Sequence, residues 1–162
     1  MKRSESRILT THVGSLVRPP RLVELMGAKE RSESYDPEEL ATEISQSVRE
    51  VVRRQVESGV DIPSDGEYGK PSFSGYANER LAGFEPRPRN PDESPLLNWG
   101  RDRMLFREFY EEYDRISGSA SGYPVVCTGP ITYQGQEAVQ RDISNFRAAL
   151  AGVTPEEAFI PA

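Results

Sequence analysis

The sequence predicts an α/β fold in which parallel strands alternate with helices. Apolar segments at 8–16 and 123–126 have the composition of strands, and 60–67 is predicted as a short strand that runs into an acidic loop. Segments with helical periodicity follow them. A long amphipathic helix is predicted between the first two segments, and only a crossover of that length joins two parallel neighbours. Alternating strands and helices therefore predict a parallel sheet, either a small open sheet or part of a barrel.

The long helix is the best-marked element of the sequence. Asp36 is a suitable N-cap, Pro37 suits the first helical position, and Glu39 three residues later predicts a capping box. Gly59 is a natural stop. An apolar stripe at helical spacing consists of Leu40, Ile44, Val48, Val51, Val52 and Val56.

The remaining segments complete three strand–helix units. A later helix is predicted from the common face of Val139, Ile143, Phe146 and Leu150, with Gly152 as its stop. Shorter helices are predicted at 22–26, 76–81 and 101–116, the last with an aromatic face expected to pack. Residues 85–120 are an excursion loop and helix. The apolar tail at 158–162 is expected to open a fourth strand that the chain end cuts off.

Composition excludes several classes of function. The 162 residues carry a net charge of −6 with no block of basic residues, which disfavours nucleic-acid binding. No stretch approaches the roughly 20 apolar residues of a membrane span, and no signal peptide is recognisable. The one cysteine permits no internal disulfide. A cytoplasmic location is expected.

Polar side chains beside glycines follow the predicted strands. The first strand end carries His12, Gly14 and Ser15, the second carries Asp65 and Glu67, and the third carries Thr128 after Cys127. Ligands of parallel α/β folds gather at the carboxyl ends of the strands. These residues are therefore candidates for one binding site. No catalytic residue and no metal ligand is singled out.

Three motifs in order resemble one enzyme family. They are TTHVGSLVRP at 10–19, the segment from VRRQVESGVD to RLAGFE at 52–85, and YPVVCTGPITYQG at 123–135. These are similar to the catalytic barrel of cobalamin-independent methionine synthase, especially its compact single-barrel relatives. The resemblance implies a partial TIM (β/α)8 barrel, about its first three to four units over 1–162. A complete barrel needs about 250 residues, so we expect a C-terminal truncation.

The resemblance also implies a reaction. The family transfers a methyl group from a 5-methyltetrahydrofolate-type donor to a thiol such as homocysteine, with zinc holding the thiolate. The expected partners are therefore small molecules, a thiol amino acid and a folate. Gly14 and Ser15 are expected to contact the substrate's carboxylate and Glu67 its ammonium. His12, Asp65 and Thr128 are further candidates for substrate binding.

The chain lacks the zinc-binding motif that the family carries. The family's zinc ligands include a His-x-Cys pair, and here His12 and Cys127 are the single histidine and the single cysteine. The zinc ligands expected for the full-length family are absent from this chain, so we expect the chain alone to be inactive. His12 also replaces a small hydroxyl residue of the classical enzyme, which leaves the thiol and the methyl donor open.

Other interpretations remain open at this point. A similar barrel could carry a uroporphyrinogen-decarboxylase-like lyase or an alkyl transferase for another thiol, since fold does not fix function. A non-catalytic partial barrel could instead associate with a partner or itself through open edges. For single residues, Glu67 and Asp65 could belong to a solvated loop or cap, Thr128 to a turn, and His12 to a hydrogen-bonded structural position.

Overall fold

The computed structural model describes residues 2–87, 101–117 and 125–161. The chain divides into two compact units, one formed by Met1–Arg80 with Gly135–Ala162 and the other by Leu81–Gln134. The elements in chain order are α1 (Pro20–Glu30), α2 (Pro37–Glu57), α3 (Phe73–Arg80), β1 (Leu81–Pro86), α4 (Asp102–Leu105), α5 (Arg107–Ser117), β2 (Val125–Tyr133) and α6 (Gln136–Leu150). Among the described residues, no helix is both long and apolar enough to cross a membrane.

Helix α2 confirms the prediction made from its caps and stripe. The Asp36 carboxylate accepts the N–H of Glu38 at 2.9 Å and of Glu39 at 3.3 Å, which satisfies donors that the helix itself leaves unpaired. The Glu39 side chain does not close the predicted capping box. Its carboxylate accepts a hydrogen bond from Arg21 Nε at 2.8 Å and so ties α2 to α1.

The core of the first unit lies where α1, α2 and α6 meet. Leu22 and Val52 are fully buried, and α2 packs against both other helices. The core consists of Leu22, Leu25, Met26, Leu40, Val48, Val51, Val52, Tyr68, Phe146 and Ala149. Helix α6 packs the apolar face that the sequence predicted for it against this core, with Phe146 buried and Leu150 partly buried. Burial of these side chains is the main stabilising contribution to this unit.

The predicted partial TIM barrel is wrong. The only regular sheet among the described residues has two strands, β1 and β2, and they are antiparallel. Within the described part of the chain, the predicted strand segments at 8–16, 60–67 and 158–161 make only isolated parallel bridges, Thr11 with Ile62 and Ser64 with Phe159. A continuous ladder does not form between them.

The first predicted strand fails for local reasons. Its Val13 is 74% exposed, whereas a buried strand would cover it. Gly14 has φ +99°, which interrupts an extended conformation. The Thr10 N–H donates to the Asp61 carboxylate at 2.8 Å, so a side chain takes the place of a ladder carbonyl.

The third predicted strand also runs differently. It was expected over 123–126 with Cys127 to Pro130 following its end, but β2 continues through these residues to Tyr133. Thr128 therefore lies within a strand and not at its tip. A two-stranded sheet has only edge strands, which tolerate Pro130. At Gly83, φ is +91° and an added Cβ would lie 2.6 Å from the Pro130 carbonyl oxygen, so β1 approaches β2 closely there.

The predicted helix at 101–116 is two helices, α4 and α5, separated at Phe106. We expected its aromatic face to pack, but Phe109 is 61% exposed. The Phe109 ring contacts neighbours on its own helix, with an edge-to-face contact to Tyr110 at 5.1 Å and a stacked contact to Tyr113 at 6.0 Å between centroids. Of the predicted excursion at 85–120, residues 88–100 and 118–120 lie outside the described part of the chain.

Candidate functional site

The loop after α2 is attached to the helix by a buried glutamine. Gln55 Nε2 donates to the Ser64 carbonyl at 2.8 Å, and Gln55 Oε1 accepts the Ser64 N–H at 3.1 Å. Gln55 is 6% and Ser64 is 1% exposed. The side-chain amide thus satisfies both backbone groups of Ser64 in a place that excludes water. This clamp fixes the start of the loop that leads to Glu67.

The N-terminal segment lies along the same loop. The Ile62 N–H donates to the Thr10 carbonyl at 3.1 Å, and the Leu16 N–H donates to the Gly66 carbonyl at 3.1 Å. Thr11 Oγ1 donates to the Ile62 carbonyl at 2.7 Å. These bonds hold two segments that are distant in sequence side by side.

Ser15 and Glu67 come together at the end of this pairing. Ser15 Oγ donates to Glu67 Oε2 at 2.6 Å. Ser15 is exposed and Glu67 is half-buried, so the pair is open to solvent on one side. The Glu67 backbone has φ +58°, a left-handed conformation that costs a residue with a side chain about 1–3 kcal/mol. The Glu67 N–H donates to Asp65 Oδ1 at 3.0 Å.

Gly14 makes the backbone beside this pair accessible. It has φ +99°, and no atom lies within 4 Å of the position that a Cβ would occupy. A ligand can therefore approach the main chain without meeting a side chain. A hydroxyl, a carboxylate and an open backbone turn are together suited to a small ligand that carries both an ammonium and a carboxylate group.

Asp65 is a buried carboxylate, 4% exposed, in the turn that precedes Glu67. Burial raises the pKa of Asp65, while the bond from the Glu67 N–H and the charge of Lys70 oppose that rise. Its observed contact is with the backbone of its own turn. Asp65 therefore shapes the loop, and its prediction as a substrate contact stays a prediction.

His12 and Thr128 also stay predictions. His12 is half-buried, and its Nε2 is buried without a hydrogen-bond partner among the described residues. Thr128 belongs to the second unit, where its side chain is exposed on β2. The structure thus brings Ser15, Glu67, Gly14 and Asp65 to one place within the first unit.

Two residues that were not predicted from the sequence support this place, Gln55 and Arg18. Gln55 lies at a position of the apolar stripe of α2, and nothing else in the sequence around it indicates its role. Arg18 Nη2 donates to the Glu67 carbonyl at 2.9 Å and to the Lys70 carbonyl at 2.6 Å. In the sequence alone, nothing distinguishes Arg18 from a solvated surface charge. A polar residue at a stripe position was the only available signal for Gln55.

The described residues do not fit a zinc centre. No three side chains of His, Cys, Asp or Glu come together among them as a metal-binding group. A structural or catalytic zinc needs at least three protein ligands.

A separate groove of about 820 Å³ lies in the first unit between α2 and α6. None of the candidate site residues lines it. Its walls include Tyr35, Leu40, Ile44, Arg80, Asp142 and Asn145. Arg80 Nη2 and Asp142 Oδ2 form an ion pair at 2.7 Å in this wall, so the charge of Arg80 is already paired there.

Comparison with known proteins gives partial support for the family resemblance. No family model matches the chain. A stretch of 76 residues is 36% identical to a methionine synthase of Sulfolobus acidocaldarius. The match covers 47% of this chain and 22% of that relative, so the chain spans about a fifth of the curated protein it matches. Part of this chain is thus similar to a methionine synthase.

Proposed function

We propose that this chain takes part in methionine synthesis and binds the amino-acid end of a thiol substrate such as homocysteine. The observation that carries the proposal is the 2.6 Å hydrogen bond between Ser15 and Glu67, next to the open backbone of Gly14. The partial similarity to a methionine synthase supports the class of reaction. The finer reaction that we propose is methyl transfer from a 5-methyltetrahydrofolate-type donor to the thiol.

The Ser15–Glu67 pair suggests how an amino acid binds. In the free chain the Ser15 hydroxyl donates to the Glu67 carboxylate. A substrate ammonium is a stronger donor to that carboxylate, because both partners carry charge. When the ammonium binds Glu67, the Ser15 hydroxyl is released and turns its donor towards the substrate carboxylate. Both ends of the amino acid are then recognised by one pair of side chains.

The chemical step needs groups that the described residues do not supply. Zinc, when bound by the family's enzymes, holds the thiol as a thiolate nucleophile. This chain has one histidine and one cysteine and so has no His-x-Cys pair. We therefore expect the purified chain to bind the thiol amino acid without methylating it. The proposed location is the cytoplasm, since the exposed Cys127 thiol suits a reducing compartment.

Calorimetric titration with L-homocysteine under reducing conditions tests the proposal. E67Q keeps the size of the side chain and removes its charge, and we expect about 10- to 100-fold weaker binding. The control is E57Q, because Glu57 is an exposed residue of α2 that pairs with Arg53 and makes no contact with Ser15 or Glu67 among the described hydrogen bonds. Equal affinity of E67Q and the unmodified chain contradicts the proposal. Formation of methionine when the purified chain is given homocysteine together with a 5-methyltetrahydrofolate donor contradicts the expectation that the chain alone does not methylate the thiol.

A further inference from the structure

Glu67 adopts a conformation that its own residue type disfavours. Its φ of +58° belongs to the left-handed region, which glycine adopts freely and glutamate does not. Such a conformation persists only where surrounding contacts hold it. The direction of the Glu67 carboxylate depends on this backbone conformation, so the contacts that hold the turn also determine where the carboxylate points.

Arg18 supplies two of these contacts. One nitrogen, Nη2, donates to the carbonyls of Glu67 and Lys70, which lie at the two ends of the turn. The Lys70 N–H also donates to the Glu67 carbonyl at 3.0 Å. Arg18 thus closes the turn from outside. The two carbonyl bonds also offset the cost of a guanidinium whose Nε is buried without a partner among the described residues.

Arg18 joins the start of α1 to the turn at Glu67–Lys70, and further contacts hold each of these two segments. Arg18 precedes Pro19, the N-cap residue of α1, and the first turn of that helix contains the fully buried Leu22. Proline also restricts the backbone of the residue before it. On the other side, the Lys70 ammonium donates to the Pro161 carbonyl. Arg18 therefore connects the turn to the packed core and not to a mobile surface.

We propose that Arg18 is a positioning residue that holds the Glu67 carboxylate in the direction needed to bind the substrate ammonium. The inference rests on the proposed function, in which Glu67 binds that ammonium. Arg18 acts through the two carbonyls of the turn and does not itself contact the substrate. Its contribution to binding is therefore expressed only while the Glu67 carboxylate is present.

A double-mutant cycle with L-homocysteine tests this dependence. We expect R18M to weaken binding about tenfold, and R18M/E67Q to bind no more weakly than E67Q alone. R18K keeps the charge but not the planar fork, and we expect an intermediate affinity. The control is R21M, which removes an exposed arginine of α1 that pairs with Glu24 and Glu39. Losses from R18M and E67Q that multiply, or R18M binding within twofold of the unmodified chain, overturn the inference.

A measurement without ligand separates the two proposals. The backbone carbon chemical shifts of Glu67 report the sign of its φ, and we expect R18M to move them away from left-handed values while R21M leaves them unchanged. Unchanged Glu67 shifts in R18M overturn the role of Arg18 even if E67Q weakens binding. If E67Q binds as the unmodified chain does, the proposed function fails, and the shifts still decide whether Arg18 holds the turn.

Discussion

Gln55 connects the core of α2 to the loop that carries Glu67, and its replacement by methionine tests that connection. The Q55M side chain has nearly the same length and volume, so it leaves no cavity. It cannot donate to the Ser64 carbonyl or accept the Ser64 N–H, the bonds that Gln55 makes to Ser64 at 2.8 and 3.1 Å. It also loses the weaker bond from Gln55 Nε2 to the Val51 carbonyl at 3.2 Å, whose oxygen lies within the helix. The variant therefore isolates the hydrogen bonds from the packing.

The expected loss of stability follows from the backbone N–H and carbonyl of Ser64, which Q55M leaves without their partners. Ser64 is 1% exposed, so water does not replace the lost partners. Each unsatisfied buried backbone group costs about 1–3 kcal/mol. Burial of the methionine side chain, which is more apolar than glutamine, offsets part of this loss of stability. We expect a net loss of about 2–4 kcal/mol in the free energy of unfolding, a large share of the roughly 5–15 kcal/mol of a typical domain.

Urea unfolding followed by circular dichroism measures this loss. The control is Q46M, since Gln46 is an exposed residue of the same helix, and we expect its effect to stay within about 0.5 kcal/mol. Amide hydrogen exchange at Ser64 should accelerate in Q55M before global unfolding. A loss below about 0.5 kcal/mol in Q55M, with Ser64 exchange unchanged, would refute the argument that the clamp holds the loop.

Three further changes test the surroundings of the site. The Arg7 guanidinium holds the pKa of Asp61 well below its usual range, so the ion pair's stability is present above the usual aspartate pKa and is lost as pH falls. In D61N the urea midpoint of unfolding should depend less on pH in the acidic range. An unchanged pH dependence would show that the Arg7–Asp61 pair does not contribute to stability. Burial raises the pKa of Asp65, so stability falls as pH rises from the usual aspartate pKa of about 3.9 to the raised folded value. D65N should abolish that fall, and a fall of the same size in D65N would assign it to another group. G83A should destabilise the β1–β2 pairing by at least about 1 kcal/mol, because its Cβ would meet the Pro130 carbonyl; intact cross-strand nuclear Overhauser effects in G83A would show that the strands accommodate it.

The helices of this chain were predictable because their signals are local. Asp36 and Pro37 mark the start of α2, and a continuous apolar stripe marks its buried face. The same holds for α6, where Phe146 lies in the core. Helical hydrogen bonds join residues four apart, so a short window of sequence contains most of the information.

The sheet was not predictable in the same way. Strand pairing joins residues far apart in sequence, and the β-branched content of 8–16 says nothing about its partner. The structure places a side-chain carboxylate, that of Asp61, where a ladder bond was expected. Likewise, we expected Thr128-Gly129-Pro130 to follow the end of a strand, but these residues lie within β2. Both strands of a two-stranded sheet are edge strands, so Pro130 is tolerated there.

The site was predictable in part. Polar residues beside glycines led to Ser15 and Glu67, and the structure brings this pair into hydrogen-bond contact. The supporting roles of Arg18 and Gln55 arise from contacts made across the fold. Their residue types carry no pattern that predicts a backbone carbonyl as partner, so sequence reasoning alone had no means to find them.

A comparison of two matched ligands tests most directly whether Glu67 recognises a substrate ammonium. L-homocysteine and 4-sulfanylbutanoate differ only in the amino group, and their affinities are measured by calorimetry for the unmodified chain and for E67Q. We predict that the unmodified chain prefers homocysteine by about tenfold or more and that E67Q loses this preference. Equal binding of both ligands by the unmodified chain, or an undiminished preference in E67Q, would contradict the account.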